Sequence, residues 1–322
     1  MAYPDLHSGF MSRNQHLFSF KFLKNHKPFQ GPRLLLLGSC NGLVLCISRI
    51  GEEHSRYHVC NPLTQTWVSL PLPPGSQIKL FDVCGIFFDY SLSSFASCYK
   101  VVRIPQFKEP SKNFNVEIYS SDLGIWESFQ VSCDENVVWR FPAFDKLVIL
   151  NGALFWIQGG SRMLVYNLNQ INKSDGHQCS LINLPDMEFD DTEFLHFSSH
   201  IGESEGWLCY AKARKAASEI TVSVWVLNMG NWEMLHKDIS VGGICEEVLS
   251  RKGKAAGIQV LGFSPVDRNI VLLGCKKWVW GFNIKTRSFE EFCLDNRHVH
   301  DASMMFLPFV LKPMPTVPFW TK

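Results

Sequence analysis

Two short patterns alternate along this 322-residue chain, and self-similarity at a period of roughly 40 to 50 residues leaves few architectures open, since each repeat must be one small supersecondary unit that buries its apolar faces against its neighbours. The first pattern is an apolar run, a polar turn and an aromatic residue. It occurs at Tyr57–Trp67, where Asn61 and Pro62 open the turn, at Val116–Trp126, at Val224–Trp232 and at Trp280–Phe289. In three copies the aromatic follows the last strand residue by six positions, from Asn61 to Trp67, Ser120 to Trp126 and Asn283 to Phe289. A second short apolar stretch then begins at the aromatic: Trp67–Leu70, Trp126–Phe129, Trp232–Leu235 and Phe289–Phe292. A weaker copy runs Met163–Asn167 and returns at Ser180–Leu184. Each copy describes a hairpin whose return strand opens on an aromatic.

The second pattern precedes the first. Leu34–Ser39 passes through Asn41-Gly42 into Leu43–Ile47, and Lys146–Leu150 passes through Asn151-Gly152 into Ala153–Ile157, which contains Trp156. Looser copies pass through Glu205-Gly206 into Trp207–Tyr210, and from Gln259–Phe263 into Ile270–Leu273. Asn-Gly between apolar runs is the signature of a type I′ hairpin, whose two central residues both need positive φ. Together the patterns give strand, turn, strand, loop, strand, turn, strand, which is the content of a four-stranded propeller blade. Five such units are expected at about 34–70, 81–129, 146–184, 196–235 and 258–292. The strand-like ends, Leu17–Phe22 and Ser303–Leu311, would together supply a sixth blade or close a five-bladed ring. The expectation is therefore all-β: a single propeller over 17–318, preceded by a lead-in at 1–16 and followed by a short tail at 319–322. The repeated aromatics Trp67, Trp126, Trp232 and Phe289 are expected to wedge between blades as core.

Composition supports a packed domain. Hydrophobic residues make up 46% and charged residues 19%, the opposite of the balance that keeps a chain disordered. The net charge of +1 argues against a nucleic-acid partner or an anionic membrane surface, either of which calls for a basic excess. The small basic clusters at 24–27, 212–215, 251–254 and 276–277 read as solvated loops. Eleven cysteines, an odd number with no Cys-x-x-Cys and mostly within apolar runs, suit a reducing compartment where they act as small buried hydrophobes. No signal peptide or membrane span is apparent, so the chain is expected in the cytoplasm or nucleus, with the Asn172-Lys173-Ser174 sequon unused. Residues 211–218 and 246–254 have some helical propensity but are short and lie between strands, so both are read as loops, as is the acidic stretch 186–193.

Little in the chain points to catalysis. His54 with His58, and His196 with His200, are four apart, which on a strand separates them by about 13 Å, too far for one metal. His298, His300 and Asp301 lie closer together but read as exposed loop residues. No nucleophile elbow and no phosphate-binding glycine pattern occurs. A propeller hydrolase would gather charged residues on its innermost strands. The segments taken as innermost, Leu43–Cys46, Ala153–Trp156 and Ile270–Leu273, are apolar. No catalytic, cofactor-binding or metal-ligating residue is assigned. A protein-binding module is expected, with a purely structural scaffold as the alternative.

One family shares these motifs in this order. The first unit, Leu36–Cys46 followed by Cys60–Pro74, resembles the start of the F-box-associated domain of plant F-box proteins. Tyr99–Ile104 with Val116–Ser120, Leu150–Trp156, Gly202–Leu208 with Val224–Leu227, and Phe306–Leu311 resemble its later units. The resemblance covers roughly residues 8 to 318. It implies a kelch-like propeller that captures a target protein, in a family whose F-box docks on a Skp-type adaptor carried by a cullin ubiquitin ligase. The residues before Leu34 show no helical period, so the F-box itself is not expected within this chain, and adaptor and cullin are expected partners only through an F-box upstream.

Overall fold

The computed structural model describes Leu23 and residues 33–49, 55–74, 77–79, 82–88, 98–139, 147–158, 161–169, 176–185, 199–216, 219–250, 258–275 and 278–292. Within them lie five consecutive units of four antiparallel strands. Unit 1 contains β1 (Arg33–Cys40), β2 (Leu43–Arg49), β3 (Arg56–Asn61) and β4 (Thr66–Ser69). Unit 2 contains β5 (Val83–Phe88), β6 (Tyr99–Ile104), β7 (Ser111–Ser120) and β8 (Ile125–Val137). Unit 3 contains β9 (Leu147–Leu150), β10 (Ala153–Gln158), β11 (Arg162–Asn167) and β12 (His177–Asn183). Unit 4 contains β13 (Ser199–Ser204), β14 (Trp207–Ala216), β15 (Glu219–Asn228) and β16 (Asn231–Ser240), and helix α1 (Gly242–Ser250) leads on. Unit 5 contains β17 (Gln259–Phe263), β18 (Ile270–Cys275), β19 (Trp278–Asn283) and β20 (Ser288–Phe292). These units coincide with the five repeats. The end segments 17–22 and 303–311, and so the question of a sixth blade and of how the ring closes, lie outside the described residues.

The first strands of successive units pack against one another, β1 on β5, β5 on β9, β9 on β13 and β13 on β17. They form the hub, and the fourth strands form the rim. The strands expected to be innermost, at Leu43–Cys46, Ala153–Trp156 and Ile270–Leu273, are second strands one step out from the hub. The first two read as apolar because both their faces are covered. Leu45 packs between units 1 and 2, whereas its neighbours Val44 and Cys46 pack on the opposite face with Leu23. Leu154 and Trp156 pack towards unit 2, and Phe155 and Ile157 towards unit 4. A sheet buried on both faces loses the apolar–polar alternation of a half-exposed one.

Glycines bring the hub strands together. A Cβ on Gly85 of β5 would stand 2.6 Å from Leu147 Cδ2 of β9, and one on Gly202 of β13 would stand 2.9 Å from Phe263 Cδ2 of β17. Gly38 of β1 likewise faces the backbone of Gly85. These positions accept neighbouring side chains where a larger residue would push the blades apart.

Three local readings change. Residues 242–250 form α1, with Ile244 and Val248 buried against units 4 and 5; tertiary burial of one face stabilises a helix too short to persist alone. Residues 211–216 are strand, part of the ten-residue β14, where Ala211 and Ala213 are buried and Lys212 is only part-buried. Finally, the aromatics opening the fourth strands are not fully enclosed. Trp67, Trp126 and Trp232 are half-buried and Phe289 is exposed, whereas Trp156 on a second strand is buried. A fourth strand sits at the rim, where a ring can lean on a neighbouring unit while its outer side meets solvent.

Units 2 and 3 share a further link. The thirteen-residue β8 runs past its hairpin and pairs in parallel with β12, joining the two units into one eight-stranded sheet.

Candidate partner-binding ends

Each unit is an antiparallel meander, so the loops joining its first to second and third to fourth strands emerge at one end. The loops joining second to third strands, and the connections between units, emerge at the other. The turn end is built from local chemistry. Asn41-Gly42 (φ 47° and 80°), Asn151-Gly152 (52° and 75°), Glu205-Gly206 (50° and 80°) and Met229-Gly230 (47° and 83°) all have paired positive φ, the conformation of type I′ turns. In unit 1 the Asn61 carboxamide oxygen accepts hydrogen bonds from the backbone N–H groups of Leu63 (3.0 Å) and Thr64 (3.2 Å), with buried Pro62 between. In unit 5 Asn283 repeats this with Lys285 (3.1 Å) and Thr286 (3.0 Å). Gln65 and Arg287 then take positive φ just before β4 and β20. This shared turn sets the six-residue interval from Asn61 to Trp67 and from Asn283 to Phe289. Several apolar side chains stand exposed here, namely Leu63, Leu123, Trp207, Val266 and Met229, the last of which is 97% exposed.

The aromatics span unit boundaries beside this end. Trp126 of unit 2 donates its indole N–H to Pro71 O, 2.9 Å away in the connection leaving unit 1, and its ring lies 6.1 Å from Tyr57. Trp232 of unit 4 donates to Asn183 O of unit 3 at 3.0 Å. Phe289 of unit 5 lies over Gly243 of α1, where a Cβ would meet the ring at 2.9 Å.

The connection end rests on buried polar networks. Arg103 of β6 is fully buried. It pairs with Asp82 just before β5 (Nη2–Oδ2 2.7 Å) and with Glu117 of β7 (Nη1–Oε2 2.6 Å), and it donates to Gln77 O at 3.1 Å. Asp82 also accepts from the N–H groups of Lys79 (2.9 Å) and Gln106 (3.0 Å). One guanidinium thus anchors the unit 1–2 connection, and Asp82 ties it to the β6–β7 loop. Burial alone would lower the Arg103 pKa, but Tyr57, Asp82 and Glu117 hold it above its ordinary value. Burial raises the Glu117 carboxyl despite the opposing pull of Arg103.

His58 of β3 forms a second network. It is fully buried between Ser48 Oγ (2.7 Å from Nε2) and Ser69 Oγ (3.0 Å from Nδ1), beside the Trp67 ring. Burial, reinforced by Arg56, lowers its pKa to about 4, so the ring is neutral at pH 7. Its hydrogen bonds replace those lost to water. His54, His196, His298, His300 and Asp301 lie outside the described residues. Among the described residues, Leu72 and Leu249 are the large apolar residues exposed on the connections.

Among the described residues no group of three or more His, Cys, Asp or Glu is placed to hold a metal. On the described hub strands, Glu203 of β13 is the one carboxylate and it is exposed. A recurrent signal that the motif reading passed over is the hub glycine following two non-polar or aromatic positions, as in Leu36-Leu37-Gly38, Val83-Cys84-Gly85 and Val260-Leu261-Gly262.

Residues 16–309 match the family described as F-box protein At3g26010-like, beta-propeller. The chain belongs to this family. It is 31% identical over 206 residues to the putative F-box protein At3g23970 of Arabidopsis thaliana, a match covering 61% of this chain and 48% of that protein. It is 26% identical over 272 residues to the putative F-box/kelch-repeat protein At4g22430 of the same plant, covering 81% of this chain and 59% of that one. The chain thus spans about half the length of the curated relatives it matches. Among solved structures, a puromycin-hydrolyzing peptidase of Mycobacterium tuberculosis aligns with a TM-score of 0.45 at 11% identity, over 90% of this chain and 41% of that one. A likeness of that size assigns no chemistry.

Proposed function

We propose that this chain is the target-recognition propeller of a Skp–cullin–F-box type ubiquitin ligase, acting in the cytoplasm or nucleus and catalysing no reaction itself. The observation that carries the reading is the family match over 16–309, which spans all five units. A non-catalytic role is supported by how the charged groups are used. Where Arg103, Asp82 and Glu117 converge they are buried and bonded to one another, leaving none of them to meet a substrate. Adaptor and cullin would be reached through an F-box, and the propeller supplies only the target.

We place the target on the connection end. Its connections between units are long, at 70–82, 138–146, 184–198 and 241–258, and connecting segments of differing length held on a rigid scaffold are where binding specificity resides. The turn end consists mostly of turns two to four residues long, whose shapes are dictated by their own φ angles.

Reconstitution tests both statements. A protein that accumulates in plant cells lacking this chain, and that binds the purified chain directly, is incubated with ubiquitin, E1, E2, Skp-type adaptor, cullin and this chain carrying an F-box fused ahead of Met1. Ubiquitin transfer that requires the propeller supports the reading; direct binding with no transfer makes the chain a scaffold. Leu72→Asp and Leu249→Asp should weaken capture about tenfold or more, the scale of one lost interface anchor. Leu123→Asp and Met229→Asp should leave it unchanged. The reverse result moves the site to the turn end.

A further inference from the structure

Two pairs of thiols face each other across neighbouring strands, and their registers separate them. Cys46 of β2 and Cys60 of β3 have their Sγ atoms 3.4 Å apart. Yet Cys46 stands opposite His58, and Cys60 opposite Val44, so the two are diagonal neighbours. Diagonal Cα atoms lie about 7–8 Å apart, beyond the ~7 Å at which a disulfide can close without backbone movement. Cys133 of β8 and Cys179 of β12 are instead direct Cα partners in the parallel pairing. Adjacent strands run about 4.8 Å apart, inside the ~4.4–6.8 Å span of disulfide-bonded Cα atoms. In-register partners also project to the same face of the sheet, and Cys133 is among the groups that raise the pKa of the Cys179 thiol.

We propose that Cys133 and Cys179 form a disulfide-forming modification site that ties unit 2 covalently to unit 3. The pairing between β8 and β12 spans only three residues of each strand, yet much converges on it. Ser132 Oγ donates to His177 O (3.2 Å), Arg162 pairs with Glu135, Gln158 Nε2 donates to Val138 O (2.9 Å), and the Trp139 and Trp156 rings lie 4.9 Å apart. Residues 131–139 therefore act as a strap from unit 2 across the edge of unit 3, leading into the 138–146 connection. A bridge at its start would fix the base of that connection.

The oxidant required is a peroxide. One thiol, as thiolate, attacks a peroxide oxygen; the O–O bond breaks, giving a sulfenic acid and, from hydrogen peroxide, one water. The second thiolate attacks the sulfenic sulfur, the S–S bond forms, and the hydroxide expelled takes up a proton to leave as the second water. Both sulfurs are oxidised and the peroxide is reduced by two electrons. Burial, with Cys133 next in importance, holds the Cys179 thiol well above its ordinary pKa. Alkaline pH favours the Cys179 thiolate, and the link should form faster as the pH rises.

The test uses the full chain, freed of reductant and exposed to hydrogen peroxide at pH 7 and pH 9, followed by peptide mapping without reduction. The expected result is a peptide pair joined through Cys133 and Cys179, an intact mass lower by two hydrogens, faster formation at pH 9, a raised unfolding midpoint and reversal by dithiothreitol. Cys46 and Cys60 should remain alkylatable once denatured. Cys133→Ser and Cys179→Ser should each abolish the link, and the wild-type map decides the matter even if either variant folds poorly. A link between Cys46 and Cys60 in its place, Cys133 and Cys179 remaining as free thiols, or sulfinic acid on either of them without a link would overturn the proposal.

Discussion

At the turn end the Asn61 side chain finds its partners two and three residues along the chain. At the connection end the partners of Arg103 lie 14, 21 and 26 residues away, and Asp82 reaches Gln106 across 24. One end is shaped by the conformational preferences of a few adjacent residues, the other by charges that meet only once the separate strands of a blade have come together. The difference teaches where this domain can vary. A turn governed by local φ tolerates exchange of its exposed tip, as at Met229, whereas a connection anchored by one buried guanidinium depends on residues from several strands at once.

The largest expected effect falls on the long-range network. Arg103→Met leaves Asp82 and Glu117 buried without their cation and should cost about 3–5 kcal/mol, the usual loss on breaking a buried ion pair from one side. Chemical denaturation measures it. Combining it with Asp82→Asn and Glu117→Gln should recover most of that loss; no recovery would mean that Arg103 acts through packing and not through charge. The other network is expected to respond to pH. The pKa of His58 is about 4 in the folded protein and ~6.5 when unfolded, so below pH 6.5 the unfolded chain binds a proton that the folded one refuses. Stability present above pH 6.5 should be lost progressively down to pH 4, by roughly 3 kcal/mol in all. This component should vanish in His58→Gln, as seen by comparing the two melting-temperature profiles.

Effects should be smaller nearer the turns. Trp126→Ala removes a half-buried ring and its bond to Pro71. It should cost about 2–3 kcal/mol, less than the ~3–5 expected for Trp156→Ala, since the cost of truncation follows the burial lost. Equal losses would show that the rim rings matter as much as the enclosed ones. The smallest effect belongs to Gly42→Ala and Gly230→Ala. Both glycines have φ near +80°, and an added Cβ would meet nothing within 4 Å. Only backbone strain remains, about 1 kcal/mol. A loss comparable to that of Arg103→Met would erase the contrast between the two ends.

Legibility followed the same division. The five units, the hairpins at Asn41-Gly42 and Asn151-Gly152, and the turn behind the Asn61-to-Trp67 interval depend on residues close in sequence, so their signals stand in the sequence itself. The hub was misplaced by one strand because Leu43–Ile47 and Ala153–Ile157 are apolar on both faces, and burial on two faces looks the same whether the cover is a neighbouring blade or the ring's centre. Helix α1 was read as a loop because nine residues carry too little intrinsic helicity to declare themselves before Ile244 and Val248 find their cover.

By itself, then, the sequence determined the repeating unit and its Asn-Gly turns, because strand periodicity and positive φ at Asn-Gly are properties of neighbouring residues. Only the tertiary structure decided which strands line the hub, that Arg103 would be enclosed with Asp82 and Glu117, that His58 would be buried neutral between two serines, and that β8 would pair with β12 and bring Cys133 opposite Cys179. Each of these joins residues on separate strands, and no local preference encodes a contact whose energy appears only when those strands assemble and exclude water from between them.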